Sequence, residues 1–563
     1  MGVESQTKQC QNCHNEFVIE PDDFEFYEKI KVPPPTFCPK CRYQRRLTNR
    51  NEWIFYQRPC DLCKKSIVSI HNPDYAGKVY CQTCWWSDKW DSMEYGQDYD
   101  FSKPFFEQFE RLRLKTPRIA MANSQSINSE YTNQSENNKN CYLCVSSGKS
   151  ENCSYGYWNQ ECRDCVDSYA SEKCERGYEL VNCVKCSRSA YLENCADCVD
   201  SHFLKGCRGC TSCFGCSGLR KKTYNWFNNQ LTKEEYSKRF KEFQFTHQTI
   251  KEARKKMREI ELNLPHKYYV GLNMVHSTGD YLVEVKNVFN SFNCRHAENI
   301  NYSQDAWFSK ESYDVTEVFS ELSYEAEGCI ATRCAFVAKT WDVFDSYYTD
   351  LCYNSNNLFG CVSLRKKNYC ILNKQYTKEE YEVLMSKIIG YMKKTGEWGE
   401  FFPASISSFA YNETVAQDYF PLTKEQALAQ GYRWYDRKDR EYQIDIKTDN
   451  ISQTIKEVDD SILEKTILCK TQLSEEDKSQ YYNCTTAFKV TKAELDFYRS
   501  MGLPLPEKCF HCRRQDRMAL RNPRKLWHRK CMKSGCANEF ETSYAPDRPE
   551  IVYCEQCYNK EVA

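Results

Sequence analysis

Pairs of cysteines at fixed spacing constrain this chain more than any other feature. Cys10 and Cys13 are followed, after 24 residues, by Cys38 and Cys41, and Cys60 and Cys63 are followed, after 17, by Cys81 and Cys84. Each set is two C-x2-C knuckles separated by a loop, and two knuckles supply the four thiolates of a tetrahedral structural zinc site. The arrangement returns at the other end. Cys484 and Cys509 are again separated by 24 residues, with Cys512 completing a knuckle, and Cys531 and Cys536 precede Cys554 and Cys557 by 17. The third set lacks a first knuckle, and its fourth ligand is expected to be Cys469, with 14 residues between it and Cys484. The fourth set is looser, with four residues between Cys531 and Cys536.

The flanking residues are duplicated as well. "CRYQRRLTNRN" (Cys41 to Asn51) and "CRRQDRMALRN" (Cys512 to Asn522) share C-R-x-Q-x-R-[LM]-x-x-R-N at an offset of 471. A tandem zinc-ribbon module is therefore expected at both ends, over 1–100 and 467–563, with about four zinc ions, one per set. Metal is read before disulfides because the opening "MGVESQTKQCQNC" has no apolar signal core and no run is long and apolar enough to span a bilayer. A reducing cytoplasm is the expectation, with no membrane. The formal net charge is zero, from 78 basic and 78 acidic residues, so no global field points to nucleic acid or lipid.

The middle has another rhythm. Written in rows of 21 from residue 140, its cysteines fall into columns: Cys144, Cys165, Cys186 and Cys207 in one, Cys153, Cys174, Cys195 and Cys216 in another. A period near 21 suits one coil of a parallel β-helix, or two tighter half-coils, with small apolar cysteines stacked inward and Asn and Gly at the corners. The rhythm ends in "FGCSGLRKKTYNWFNNQLTKEEY" and recurs 145 positions later as "FGCVSLRKKNYCILNKQYTKEEY". The second copy keeps fewer cysteines (Cys294, Cys329, Cys334, Cys352, Cys361, Cys370) and more aromatics, which favours packing over cluster binding. Thr-x-x-Glu in each "TKEEY" predicts a capped helix after each solenoid. The expected divisions are a helical connector over 101–136, solenoid plus helix over 137–266 and again over 267–399, and an aromatic segment and flexible charged linker over 400–466.

Three other constellations bear on function. Arg42, Arg46 and Arg50, and Arg513, Arg517 and Arg521, are spaced by four, so each trio shares one helix face. A basic face beside a zinc ribbon suits phosphate contacts, whereas arginine forks serve internal carboxylates equally well. Trp85, Trp86 and Trp90 suit base stacking or a small core. The run Cys207-x2-Cys210-x2-Cys213-x2-Cys216 resembles an iron–sulfur run but ends without the x3 gap and proline, so a redox protein is the alternative reading. His14 and His511 sit inside knuckles whose four-cysteine sets are complete without them. No G-x-S-x-G, Walker A, strand-following G-x-G-x-x-G or H-E-x-x-H motif is present, and no small-molecule substrate is inferred.

On "VYCQTCWWSDKW", "FGCxxLRKK…TKEEY", "KKTGEWGEFFP", "YNETVAQDYFPLTKEQA" and "YAPDRPEIVYCEQC", the chain resembles a large uncharacterised bacterial family of cysteine-rich proteins with zinc-ribbon ends and a repetitive middle. The resemblance covers nearly all residues. It implies no activity, and the CoA-transferase-type label on some members finds no supporting motif here. The wide gap between Cys469 and Cys484 departs from the usual closer spacing. The expected fold is mainly β and multi-domain: tandem zinc ribbons flanking two short β-solenoids with connecting helices. The expected function is a non-catalytic zinc-binding scaffold for a protein or RNA partner.

Overall fold

The computed structural model describes residues 4–316, 319–437 and 441–562. Two parallel stacks form its centre. In the first, residues twelve apart pair throughout, from Ile127 with Lys139 to Phe214 with Trp226. Its longer strands, Arg163–Val166, Glu175–Val181, Ser187–Glu193 and His202–Lys205, form one parallel sheet. The second stack continues the scheme from Glu298 with Lys310 to Leu358 with Cys370. Three of its described steps are one residue short: Gly271 pairs Leu282, Tyr313 pairs Tyr324 and Tyr324 pairs Ala335, each eleven apart. The last two short steps bring the offset between the stacks down from 147, as between Tyr155 and Tyr302, to 145 at the end of the repeat.

Each rung is built from a three-residue unit: one residue faces inward, the next bridges to neighbouring rungs, and the third has positive φ. Positive φ recurs at Asn140, Leu143, Ser146, Lys149 and Asn152, and continues in steps of three through Asp200. Fourteen cysteines from Cys141 to Cys216 occupy inward positions and are at most 2% exposed, with Leu180, Leu192 and Leu204 in the same core. Their thiols reach carbonyls, as Cys144 Sγ does to Cys153 O at 3.4 Å and Cys162 Sγ to Ser171 O at 3.4 Å. In the second stack Val285, Val288, Ile300, Val337 and Leu358 take inward positions. The pairing period is thus twelve, where the cysteine columns predict 21. Both numbers are multiples of three, so a 21-residue column stays inward while changing sides of the rung.

Capped helices follow both stacks, Lys233–Glu242 and Lys378–Thr395, each with a reciprocal Thr–Glu capping box. The stretch expected as a flexible linker, 435–466, has 438–440 outside the described residues. Within the rest, Ile451, Ile455 and Ile462 are buried in one cluster with Leu495 and Tyr498, while most of 441–450 is exposed. Three well-spaced isoleucines outweigh the charged composition that suggests solvation. No helix among the described residues is long and apolar enough to cross a membrane.

The ends cross over. The Pro39–Leu47 helix of the N-terminal module packs on strands Lys310–Thr316 and Tyr324–Glu327 of the second stack. Its C-terminal counterpart, Phe510–Ala519, lies on the first stack, where Phe510 stacks on Tyr155 with ring centroids 5.1 Å apart. Val79–Tyr80 pairs in parallel with Arg118–Ile119 before the first stack, and Ile551–Tyr553 with Pro265–Lys267 before the second. Each terminal module therefore touches both stacks.

Candidate metal centres and the arginine helices beside them

The chain folds its sixteen terminal cysteines into four sets: Cys10, Cys13, Cys38 and Cys41; Cys60, Cys63, Cys81 and Cys84; Cys469, Cys484, Cys509 and Cys512; Cys531, Cys536, Cys554 and Cys557. Within each, the sulfurs all lie within 4.8 Å of one another. These are the sets read from the spacing, and all their thiols are free. Each set is assembled by a short antiparallel hairpin and the N-terminus of a helix. In the first, Gln6–Gln9 pairs Glu16–Ile19 around the first knuckle, and Cys38 is the N-cap of the Pro39–Leu47 helix.

The sulfur separations test what such a set can hold. Cys13–Cys38 is 3.8 Å, Cys63–Cys81, Cys469–Cys512, Cys509–Cys484 and Cys536–Cys554 are each 3.9 Å, and Cys509–Cys512 is 3.5 Å. A tetrahedral ion with metal–sulfur bonds of about 2.3 Å has sulfur–sulfur edges of about 3.8 Å. The sets fit a closed four-thiolate shell, which leaves no position for substrate.

One hydrogen bond repeats in all four. The backbone N–H of the third cysteine donates to the sulfur of the first: Cys38 to Cys10, Cys81 to Cys60, Cys509 to Cys469 and Cys554 to Cys531, each at 3.2 Å. The repeat identifies Cys469 as the counterpart of Cys10. The third set is therefore complete, and the segment between Cys469 and Cys484 is an insertion, carrying the Glu475–Gln480 helix, that leaves the thiols in place. Asn12 and Asn538 add side-chain donors to Cys41 and Cys554, both at 3.3 Å.

Such donors favour thiolate, the form that binds metal, but they do not win at every sulfur: neighbouring thiols push Cys41 and Cys469 up, and burial pushes Cys531 up. A hydrogen bond with Cys41, aided by backbone N–H donation, brings the Cys38 thiol down to about 5. Burial opposes ionisation of Cys554, but Asn538 and the Cys557 N–H hold it at about 6. Burial likewise opposes ionisation of Cys60, which the N–H groups of Cys63 and Cys81 hold at about 7. Cys469, Cys484 and Cys512 together pull Cys509 well below the ordinary thiol range. His14 and His511 stay out of the sets, and burial drives His511 down to about 4.

The helices carry only two of each arginine trio, Arg42 and Arg46 on Pro39–Leu47 and Arg513 and Arg517 on Phe510–Ala519, both pairs turned inward; Arg50 and Arg521 lie past the helix ends. Arg42 meets Asp314 at 2.8 Å and Arg46 meets it at 3.1 Å, all three fully buried. Arg50 pairs Glu52 at 2.6 Å and Glu327 at 3.0 Å. Arg513 and Arg517 meet Asp167 at 2.8 and 2.7 Å. Arg521 donates to Asn293 Oδ1 at 3.2 Å. Five of the six are held against buried carboxylates, and a guanidinium so held is already neutralised and desolvated; Arg521 is the exception. The halves match in detail. Arg42 also donates to Phe37 O at 2.7 Å and Arg513 to Lys508 O at 3.0 Å. Tyr302 Oη donates to Asp23 at 3.1 Å, and Tyr155 Oη to Glu494 at 2.6 Å. Sequence reasoning missed Asp167, Asp314, Asp23 and Glu494, although the last two share the 471-residue offset of the cysteines.

Trp85 and Trp90 are buried with Ile119 and Leu351, while Trp86 is exposed. Cys207, Cys210, Cys213 and Cys216 sit on four successive inward positions of one rung, and among the described residues they form no converging ligand group. A single iron–sulfur cluster needs its thiolates to converge.

No family model and no curated protein matches the chain. Among solved structures, a "putative acetyltransferase" from Desulfovibrio desulfuricans G20 is similar at 7% identity, covering 49% of this chain and 82% of that one, with a TM-score of 0.09. A superposition that poor carries no argument about fold or activity. Four converging cysteine sets at the ends of a sheet-rich chain with a central parallel sheet are what remain to read function from.

Proposed function

We propose that this protein is a zinc-stapled, non-catalytic scaffold whose two parallel stacks are β-solenoids, and that its partner is another protein. The observation that carries the reading is the closure of the four sets: each offers four thiolates and no open position, the donor set of structural rather than catalytic zinc. The helices beside the first and third sets are keyed by buried arginines to a stack carboxylate more than a hundred residues away, so those two sites organise long-range docking. The engaged arginines favour a protein partner over RNA. So do Phe308, Phe319 and Ile330, apolar side chains left exposed on the second stack. The many free, buried thiols suit a reducing compartment, the cytoplasm.

Affinity capture from the native lysate, split into nuclease-treated and untreated halves, tests the reading. A defined protein that survives nuclease supports it, and an RNA lost with nuclease sinks it. Elemental analysis should return about four zinc ions per chain in colourless material. Bound iron with visible absorbance would revive the redox alternative.

A further inference from the structure

The duplication supplies an internal control for one buried charge. Arg50 and Arg521 are equivalent at the 471-residue offset. Around Arg50, the Nε meets Glu52 at 2.6 Å and Nη1 meets Glu327 at 3.0 Å, with Gln134 and Ser146 accepting from Nη2. In the other half Glu52 becomes Pro523. Rung pairing gives the counterpart of Glu327: Gln304 pairs Thr316, which pairs Glu327, while Tyr157 pairs Tyr169, which pairs Val181. Both carboxylates are thus replaced by apolar residues. Among the described residues Arg521 has no ion pair; it keeps the bond to Asn293, lies over the rings of Tyr281 at 3.9 Å and Tyr169 at 5.0 Å, and its buried Nε has no hydrogen-bond partner.

Arg521, Asn293, Tyr169 and Tyr281 all line one cavity of about 1320 Å³. A separate cavity that Arg50 lines measures about 380 Å³. Lys525 and Lys40 stand on the rim of the larger one, whereas its neighbour Arg524 is neutralised by Asp305 at 2.7 Å. A half-buried guanidinium without a counter-charge is only partly solvated, and a planar fork is the group best matched to a carboxylate or phosphate. The volume exceeds that of an inorganic anion, and the half-buried aromatic side chains Tyr302, Phe420 and Trp434 that also line the cavity suit a flat ring.

We propose that this cavity is a binding site for a small organic anion, whose carboxylate or phosphate sits on Arg521 and whose planar ring lies against the aromatic side chains lining the cavity, Tyr302, Phe420 and Trp434. The ligand supplies in this half the charge that Glu52 and Glu327 supply in the other. The site goes beyond the scaffold reading and stands independently of the identity of the protein partner.

Calorimetric titration of the metal-loaded full chain at low ionic strength tests it, with adenosine monophosphate and benzoate as phosphate and carboxylate probes and with adenosine and inorganic phosphate as partial ligands. At least one ring-bearing anion should bind ten-fold or more tightly than both partial ligands, and which one does so distinguishes the two sources. Arg521→Gln should weaken that binding at least ten-fold. Pro523→Glu, which installs the carboxylate of the N-terminal half, should do the same while leaving the melting temperature unchanged or raised. Arg50→Gln should have no effect on it. Binding of adenosine equal to that of the monophosphate, no binding by either ring-bearing anion, or full affinity in the folded Pro523→Glu variant would overturn the proposal.

Discussion

Asp167 holds Arg513 and Arg517 at once, and Asp314 holds Arg42 and Arg46, in sites closed to water. Removing the charge strands two buried cations each time. Asp167→Asn and Asp314→Asn should each cost about 3–5 kcal/mol in urea unfolding of the metal-loaded protein. The exposed Lys286–Glu298 pair should contribute under about 1 kcal/mol when tested the same way. A loss below about 1 kcal/mol at either aspartate would show that the arginines are solvated in solution. The positive-φ positions make a second residue-scale prediction. Asn152, at φ 53°, accepts from Asn140 and donates to Asp164 along a ladder of rungs. Asn152→Val forces a β-branched side chain into the left-handed region and should lower stability by about 1–2 kcal/mol, while Asn152→Gly should cost less despite losing the same hydrogen bonds. The reverse order in thermal melts would contradict the three-residue unit. That unit was open to reading: none of the positive-φ residues in either stack is Val, Ile or Thr. The cysteine columns hid it, because cysteine marks only some inward positions and a 21-residue frame mixes the sides of a rung.

The cysteine sets and the capped helices are the elements that local spacing specifies best. The donor from each third cysteine to each first sulfur makes Cys469 a full ligand across its insertion. Cys469→Ser should reduce bound zinc from about four to three per chain by native mass spectrometry, and four ions retained would place the ligand elsewhere. At the second helix Thr377 Oγ1 accepts from the Glu380 N–H at 3.2 Å, and the Glu380 carboxylate accepts from the Thr377 N–H at 2.9 Å. Thr377→Ala should cost about 1 kcal/mol. These features were legible because each depends on residues near one another in sequence, with chemistry strict enough to leave a pattern. The packing of Ile451, Ile455 and Ile462 was not, since three isoleucines in a charged stretch signal a core only when the helix that covers them is known.

Across the whole molecule, the metal sets hold the docking helices, and those helices tie the first module to the second stack and the last module to the first stack. Chelation with a high-affinity zinc ligand should therefore undo docking before it undoes the stacks, whose parallel ladders and inward cores need no ion. Limited proteolysis after chelation should release the termini and leave a resistant fragment spanning roughly 120–395; even digestion throughout would make the stacks dependent on metal. Sequence alone determined the sixteen converging thiols, the duplication of both ends, the repetitive middle and the capped helices, because each is written in spacings within a short window. Only the tertiary structure decided the direction of the arginine faces. A guanidinium is equally suited to phosphate and to carboxylate, and nothing local to Arg42 or Arg513 says that Asp314 or Asp167 will arrive beside it. The same long-range placement left Arg521 beside a cavity without the acids that neutralise Arg50.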